Sequence, residues 1–181
     1  MERYEDLLQA IRGQMVLVDG ETAHGSDHWR QVAFNGLLLA RTTGADPVVV
    51  CLFALFHDAR RFDEWEDPEH GPRGAELARE WRGTRYALDD ARFGRLVRAC
   101  RVHTSARAST GDPTVDTCLD ADRLDLARVG ILPDPGRLLT DAARALARRA
   151  RDEGVAFSGY RAFLRSQDPS IEKSLEGGFT A

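Results

Sequence analysis

Residues 47–61 read PVVVCLFALFHDARR, and Asp46 stands immediately before them. Asp46-Pro47 is a helix-start signal. The Asp oxygen can accept free backbone N–H groups, and Pro at the first helical position gives up an N–H that has no intrahelical partner. The run from Val48 to Phe56 is apolar on every side, so the helix it predicts belongs in the centre of a domain. VVV alone suits a strand; the Asp-Pro start and the length favour helix. The helix closes on His57-Asp58, which carries an imidazole and a carboxylate to the edge of the core. Such groups are costly to bury unpaired, and a divalent cation satisfies both together. Taken alone, a His-Asp doublet is more simply a helix-terminal ion pair, because short motifs recur by chance. The residues around it decide the matter.

Working outward, the pattern is helical nearly throughout. Residues 2–12 place Tyr4, Leu7, Leu8 and Ile11 on one face. A loop ending GETAHGS follows, with Ser26 as the expected N-cap of a helix that runs to Gly44. The stretch RRFDEWEDPEHGP reads as a loop. Helices are then expected over about 72–82 and from Asp89 or Asp90 to about His103. Asp112-Pro113 repeats the cap-plus-Pro start and opens one helix through TVDTCLDADRLDLARVG. ILPDPG breaks the pattern, LLTDAARALARRARDEG resumes it, and SGYRAFLRSQ is a shorter helix. The residues beyond about 167 read as a loose tail. No repeat or interdomain linker is evident, so one all-α domain over 1–181 is the economical reading.

Composition excludes several classes. The 181 residues are 43% hydrophobic and 30% charged, an ordinary globular balance. A formal net charge of -4 gives no global attraction to nucleic acid or anionic membrane. Three Cys without a CxxC spacing argue against a disulfide framework or a thiolate zinc site. The N-terminus MERYEDLLQA has no apolar leader, and no run approaches a membrane span, so a cytoplasmic location is expected. Lys173 is the only Lys, so any phosphate clamp would be an Arg fork.

The chemistry-bearing residues fall in the order His28, His57-Asp58, His70, His103, Asp122. Here the chain resembles the HD superfamily of all-helical metal-dependent phosphohydrolases, whose pattern is a His, a His-Asp doublet and a distant Asp. SDHWRQVAFNG resembles the first-ligand helix, LFALFHDARR the doublet helix and LDADRLDLARVG the last-ligand helix, over about residues 24–135. Register with the family selects Asp122. Asp120, two residues earlier, points about 200° away around a helix axis. HDARRFDEWEDPEHGPRGAE and LDADRLDLARVGILPDP also resemble a small bacterial subgroup of HD proteins. His70 and His103 match the two extra His of dinuclear HD enzymes, which include bis-nucleoside tetraphosphate hydrolases and mixed-valent diiron oxygenases. No GYP motif follows the last His, which disfavours the HD-GYP phosphodiesterases.

The resemblance implies an HD-type helical bundle. It implies two divalent ions (Fe, Mn, Mg, Zn or Co) held by His28, His57, Asp58, His70, His103 and Asp122, with Asp58 bridging. The activity it implies is hydrolysis of a small phosphorylated metabolite or nucleotide by metal-activated water. Asp58 would serve as ligand and proton acceptor, with Arg60 and Arg61 assisting. Arg61, Arg73 and Arg107 are the expected substrate anchors, since an Arg beside a metal can hold phosphate by charge-assisted bonds. Asp125, one turn after Asp122, is placed to orient a ligand, and His24 is expected beside the site or exposed, with closure of the site as the lesser alternative. A diiron oxygenase and a non-catalytic metal-binding regulatory module are the alternatives, and a homodimer is compatible with either.

Overall fold

The computed structural model describes residues 3–176. Among them lie α1 (Tyr4–Arg12), α2 (Ser26–Thr43), α3 (Pro47–Phe56), α4 (His70–Trp81), α5 (Asp90–Val102) and α6 (Pro113–Arg123). Then follow α7 (Asp141–Asp152), α8 (Tyr160–Gln167) and α9 (Ser170–Glu176). The described residues form no strand, only isolated bridge positions such as that between Arg82 and Tyr86, so the protein is all-α. No helix among them is long and apolar enough to cross a membrane.

The expected central helix is central. Every residue of α3 from Val49 to Phe56 is buried, and α2, α5 and α6 pack around it. Asp46 caps it, accepting from the backbone N–H of Val48 (3.0 Å) and Val49 (3.3 Å). Burying each large apolar side chain stabilises the fold by about 1.5–3 kcal/mol before entropy is counted. Two close approaches set the layers. A Cβ on Gly36 of α2 would lie 2.2 Å from a Val50 methyl, and one on Gly74 of α4 would lie 2.1 Å from the Phe56 carbonyl oxygen. A smaller apolar cluster (Leu39, Leu124, Ala147, Tyr160 and Leu164 among others) seats α7 and α8 against the ends of α2 and α6. All three Cys are buried and free.

Several boundaries differ from the sequence expectation, each for a local reason. Gly25, not Ser26, is the N-cap of α2, because Asp19 does the capping from the preceding loop. Its carboxylate accepts from the Ser26 N–H (2.7 Å) and hydroxyl (2.8 Å). Helix α4 begins at His70 rather than 72, since Pro72 falls within the first turn, where no N–H is needed. The helix expected through 114–130 stops at Arg123 and resumes as a 3-10 turn over Leu126–Val129. The tightening at Asp125, whose N–H bonds the Asp122 carbonyl (2.9 Å), belongs to a turn that leaves its carboxylate facing α2. The tail is helical over α9, and its Ile171 is buried. Residues 177–181 of that tail, and residue 2 of the first expected helix, lie outside the described residues.

The Gly74 contact gives a test of the layer spacing. Gly74→Ala is expected to destabilise by about 1–3 kcal/mol, because backbone carbonyls cannot yield as a side chain would. Gly94→Ala, in α5 with nothing within 4 Å of the added methyl, is expected to stabilise by about 0.5–1 kcal/mol. Urea unfolding of both variants reads the two signs, and a neutral Gly74→Ala would contradict the close approach of α3 and α4.

Candidate metal centre

His57 is the C-cap of α3, and Asp58 follows it out of the apolar core. His28 comes from the first turn of α2, His70 from the first turn of α4 and His103 from the C-cap of α5; Asp122 lies in the last turn of α6. All four imidazoles are buried.

In each of the four rings Nδ1 faces an accepting oxygen, and at His70 the Arg61 guanidinium also lies 3.2 Å away. His57 Nδ1–H donates to the carbonyls of Phe53 and Ala54 (both 3.1 Å). His103 Nδ1–H donates to the Cys100 carbonyl at 2.7 Å, and His70 Nδ1–H to that of Asp67. His28 Nδ1–H donates to the Asp125 carboxylate at 2.8 Å. In the neutral rings the second nitrogen then carries a lone pair, and these nitrogens converge. Nε2 of His28 and His57 are 3.2 Å apart, and those of His70 and His103 are 2.8 Å apart.

Asp58 spans the two pairs. Its Oδ2 lies 3.7 Å from His28 Nε2 and 3.6 Å from His57 Nε2. Its Oδ1 lies 3.1 Å from His70 Nε2 and 3.8 Å from His103 Nε2. That buried Oδ1 makes no hydrogen bond. Asp122 Oδ1 adds to the first pair, 3.4 Å from His28 and 3.8 Å from His57. Lone pairs aimed at lone pairs repel, and a cation among them turns each contact favourable. The spacing suits one: two ligand atoms about 2.1 Å from an ion lie roughly 3.0–3.5 Å apart at octahedral to tetrahedral angles. Three overlapping groups could therefore hold a metal ion, His24-His28-Asp58, His28-His57-Asp122 and Asp58-His70-His103; the first two share His28, so they describe one position, and the third describes a second.

Electrostatics agree with a cation site. Burial pushes the His57 pKa down to about 3, so the ring is neutral and can act as a ligand. Burial also lowers that of His70. For Asp58, burial pushes the carboxyl up, but the surrounding imidazoles outweigh it and hold it well below the ordinary carboxylate range. In Asp122, burial likewise pushes the carboxyl up, but the His28 hydrogen bond outweighs it and holds it low.

The structure brings His28, His57, Asp58, His70, His103 and Asp122 together. Asp120 is turned away: fully buried, it accepts from the Leu139 N–H (2.9 Å), the Thr140 N–H (2.7 Å) and the Thr140 hydroxyl (2.8 Å). His24 is not exposed; its Nδ1 lies 2.8 Å from Asp58 Oδ2. The arginines divide. Arg61 borders the cluster, with Nη1 3.2 Å from His70 Nδ1 and 3.6 Å from Asp58 Oδ1. Arg60 is instead clamped by both Glu80 oxygens (2.9 and 2.7 Å). Arg73 is held by the Asp67 carboxylate and lies over the Phe62 ring. Arg107 is exposed and donates to the Thr104 carbonyl.

Sequence reading missed the outer supports. Arg161 of α8 grips both Asp125 oxygens (2.7 and 2.8 Å) and also bonds Asp27, so it fixes the carboxylate that fixes His28. Such supports commonly carry as much weight as the ligands. A cavity of about 420 Å³ opens beside His28, with Thr22, Arg128 and Arg161 in its wall. On the other side of the cluster, a Cβ on Gly71 would lie 2.3 Å from the Cys100 carbonyl oxygen and 3.1 Å from His103 Nδ1, so α4 approaches α5 as nearly as backbone allows.

The contrast between the two Asp of α6 is testable. Asp120→Ala leaves the Leu139 and Thr140 donors unpaired and is expected to destabilise by about 2–3 kcal/mol while metal content survives. Asp122→Ala is expected to lose metal content with little change in the stability of the metal-free protein. Elemental analysis beside thermal melts separates them, and the reverse pattern would contradict the assignment of Asp122 to the cluster.

No protein-family model matches the sequence, and no curated protein matches it either. Among solved structures, the fold is similar to that of a protein from an uncultured Thermotogales bacterium described as a predicted HD superfamily hydrolase. The two share 24% identity over 91% of this chain and 92% of that one, with a TM-score of 0.66. At that identity the likeness speaks for fold, and the cluster of His and Asp side chains stands independently of it. The protein shares the fold of that predicted HD-superfamily hydrolase, and the His and Asp side chains singled out by the sequence resemblance lie together in it.

Proposed function

We propose that the protein is a metal-dependent phosphohydrolase of a small phosphorylated metabolite or nucleotide, working with two divalent ions in the cytoplasm. The observation that carries this reading is Asp58. One buried carboxylate turns an oxygen toward each of two imidazole pairs whose lone pairs converge, the arrangement a bridged pair of ions requires. The name of the similarly folded Thermotogales protein supports hydrolase chemistry.

Ions held there would supply positive charge against phosphoryl oxygens and acidify water at neutral pH. The chain supplies the rest. His28, His57, Asp58 and Asp122 form one cradle, and His70, His103 and Asp58 the other. Arg61, beside Asp58 and His70, is the cation in place to hold a substrate phosphate through its N–H groups. Arg60 and Arg73 are already paired with the Glu80 and Asp67 carboxylates; Arg61 and Arg107 both donate to backbone carbonyls, of Asp63 and Thr104, and of these two Arg61 is the one that borders the cluster. Hydrolysis places a hydroxyl on phosphorus and a hydrogen on the leaving oxygen, and water is the only co-substrate required.

A panel of phosphate esters and nucleotides, assayed with Mn, Mg, Co, Zn and Fe, tests the reading. Phosphate release that needs metal but not O2 is expected, and Asp58→Ala should lose bound metal and hydrolysis together. Retention of full metal content by Asp58→Ala would refute the assignment. O2 uptake by the iron-loaded protein, with a mixed-valent EPR signal, would move the reading to a diiron oxygenase. Silence across the panel with metal bound would leave a regulatory module.

Arg61 carries a separate expectation. Arg61→Ala should lower kcat/KM by roughly 10- to 100-fold, the value of a hydrogen bond to a charged group, with metal content unchanged. Equal kcat/KM in variant and parent would remove Arg61 from substrate binding.

A further inference from the structure

The loop before α2 is built around one side chain. Its Thr22 hydroxyl and Ala23 N–H both bond the Glu64 carboxylate (2.6 and 2.8 Å), so the loop is tied to the segment after the His-Asp doublet. Arg128 Nε donates to the Ala23 carbonyl at 2.8 Å. The His24 N–H turns back onto the Thr22 hydroxyl (3.0 Å). Gly25 passes so near Asp19 that a Cβ would meet its carboxylate oxygen at 2.4 Å. A surface loop held from three sides in this way presents one polar side chain inward: His24, with Nδ1 2.8 Å from Asp58 Oδ2 and grouped with His28 and Asp58 as a possible ligand set. Donors on opposite sides of one ion stand about 4.2 Å apart, and these donor atoms all lie within 4.8 Å of one another.

We propose that His24 is an additional ligand of the first metal position, which closes that position and leaves the one at His70 and His103 as the position open to substrate. The proposal rests on the two-ion reading given above. With His24, the first position has His24, His28, His57, Asp58 and Asp122 as donors, whereas the second has Asp58, His70 and His103. Closed coordination marks holding sites, and open coordination marks reacting ones. Arg61 stands on the open side, against His70 and Asp58 Oδ1. The ion nearer α2 would then anchor the cluster, and the phosphoryl group would meet the other position beside Arg61.

Cobalt(II) provides a spectroscopic test. The variant His70→Ala/His103→Ala keeps only the first position, and its cobalt d–d bands report that coordination. Removing His24 as well (His24→Ala) should intensify and shift the bands, since fewer ligands remain, and added imidazole should restore them. Inorganic phosphate should alter the spectrum only when His24 is absent. If His24→Ala does not fold, as read by circular dichroism, His24→Gln fills the same space without an imidazole and should give the same change. Bands indifferent to loss of His24, or responsive to phosphate while His24 is present, would overturn the proposal and leave His24 as a hydrogen-bond donor to Asp58. Failure of the unmodified protein to take up cobalt would instead sink the metal reading, and this proposal with it.

Discussion

Lone pairs that face one another inside a protein core are the constraint on which the rest depends. Two imidazole pairs and a shared carboxylate meet at the end of the most apolar helix in the chain. Their second nitrogens are committed to acceptors that cannot release them: the carbonyls of Phe53, Ala54, Asp67 and Cys100, and the carboxylate of Asp125. Burial opposes protonation of His57 and His70, whereas at His28 burial is outweighed by the bonds to Asp122 and Asp125, which raise that ring's pKa. The meeting carries a cost, of a kind that folded proteins tolerate when a ligand offsets it.

The packing is arranged to hold that unfavourable meeting in place. Helix α3 is surrounded on all sides, so His57 and Asp58 inherit a rigid base. The support reaches beyond the central layer. Arg161, on a helix late in the sequence, ties Asp27 at the start of α2 to Asp125 just after α6. It thereby braces the two segments that deliver His28 and Asp122. The C-terminal helices are part of the site's scaffold, although they contribute no donor atom to it.

Much of this was legible in the sequence, for identifiable reasons. An apolar run that starts at Asp-Pro and ends at His-Asp has one economical folded form, and α3 takes it. The preference for Asp122 over Asp120 followed from register with the family, helix geometry adding only that the two cannot share a face; the structure uses Asp120 for a different purpose, holding the backbone at Leu139 and Thr140. Asp125 was readable as a support because it lies one turn on. Residues whose role depends on distant partners were not readable. Glu64, Asp19 and Arg161 act across 41, 7 and 36 positions of sequence, with no periodicity to announce them. Arg60 and Arg61 are indistinguishable as a dipeptide; the turn after α3 sends one to Glu80 and the other to the cluster. Ser26 looked like a cap because its type suits one, but Asp19 had already filled that role.

The Cys100 carbonyl has a double duty. It accepts the His103 Nδ1–H, which keeps the other nitrogen of that ring free to bind. It is also the atom against which the bare Gly71 backbone rests, one residue after His70. A single oxygen therefore sets both how near the backbone beside His70 comes to α5 and which nitrogen of His103 is available. Any side chain at position 71 would disturb separation and proton placement in one stroke, so the local chemistry and the local geometry can only drift together.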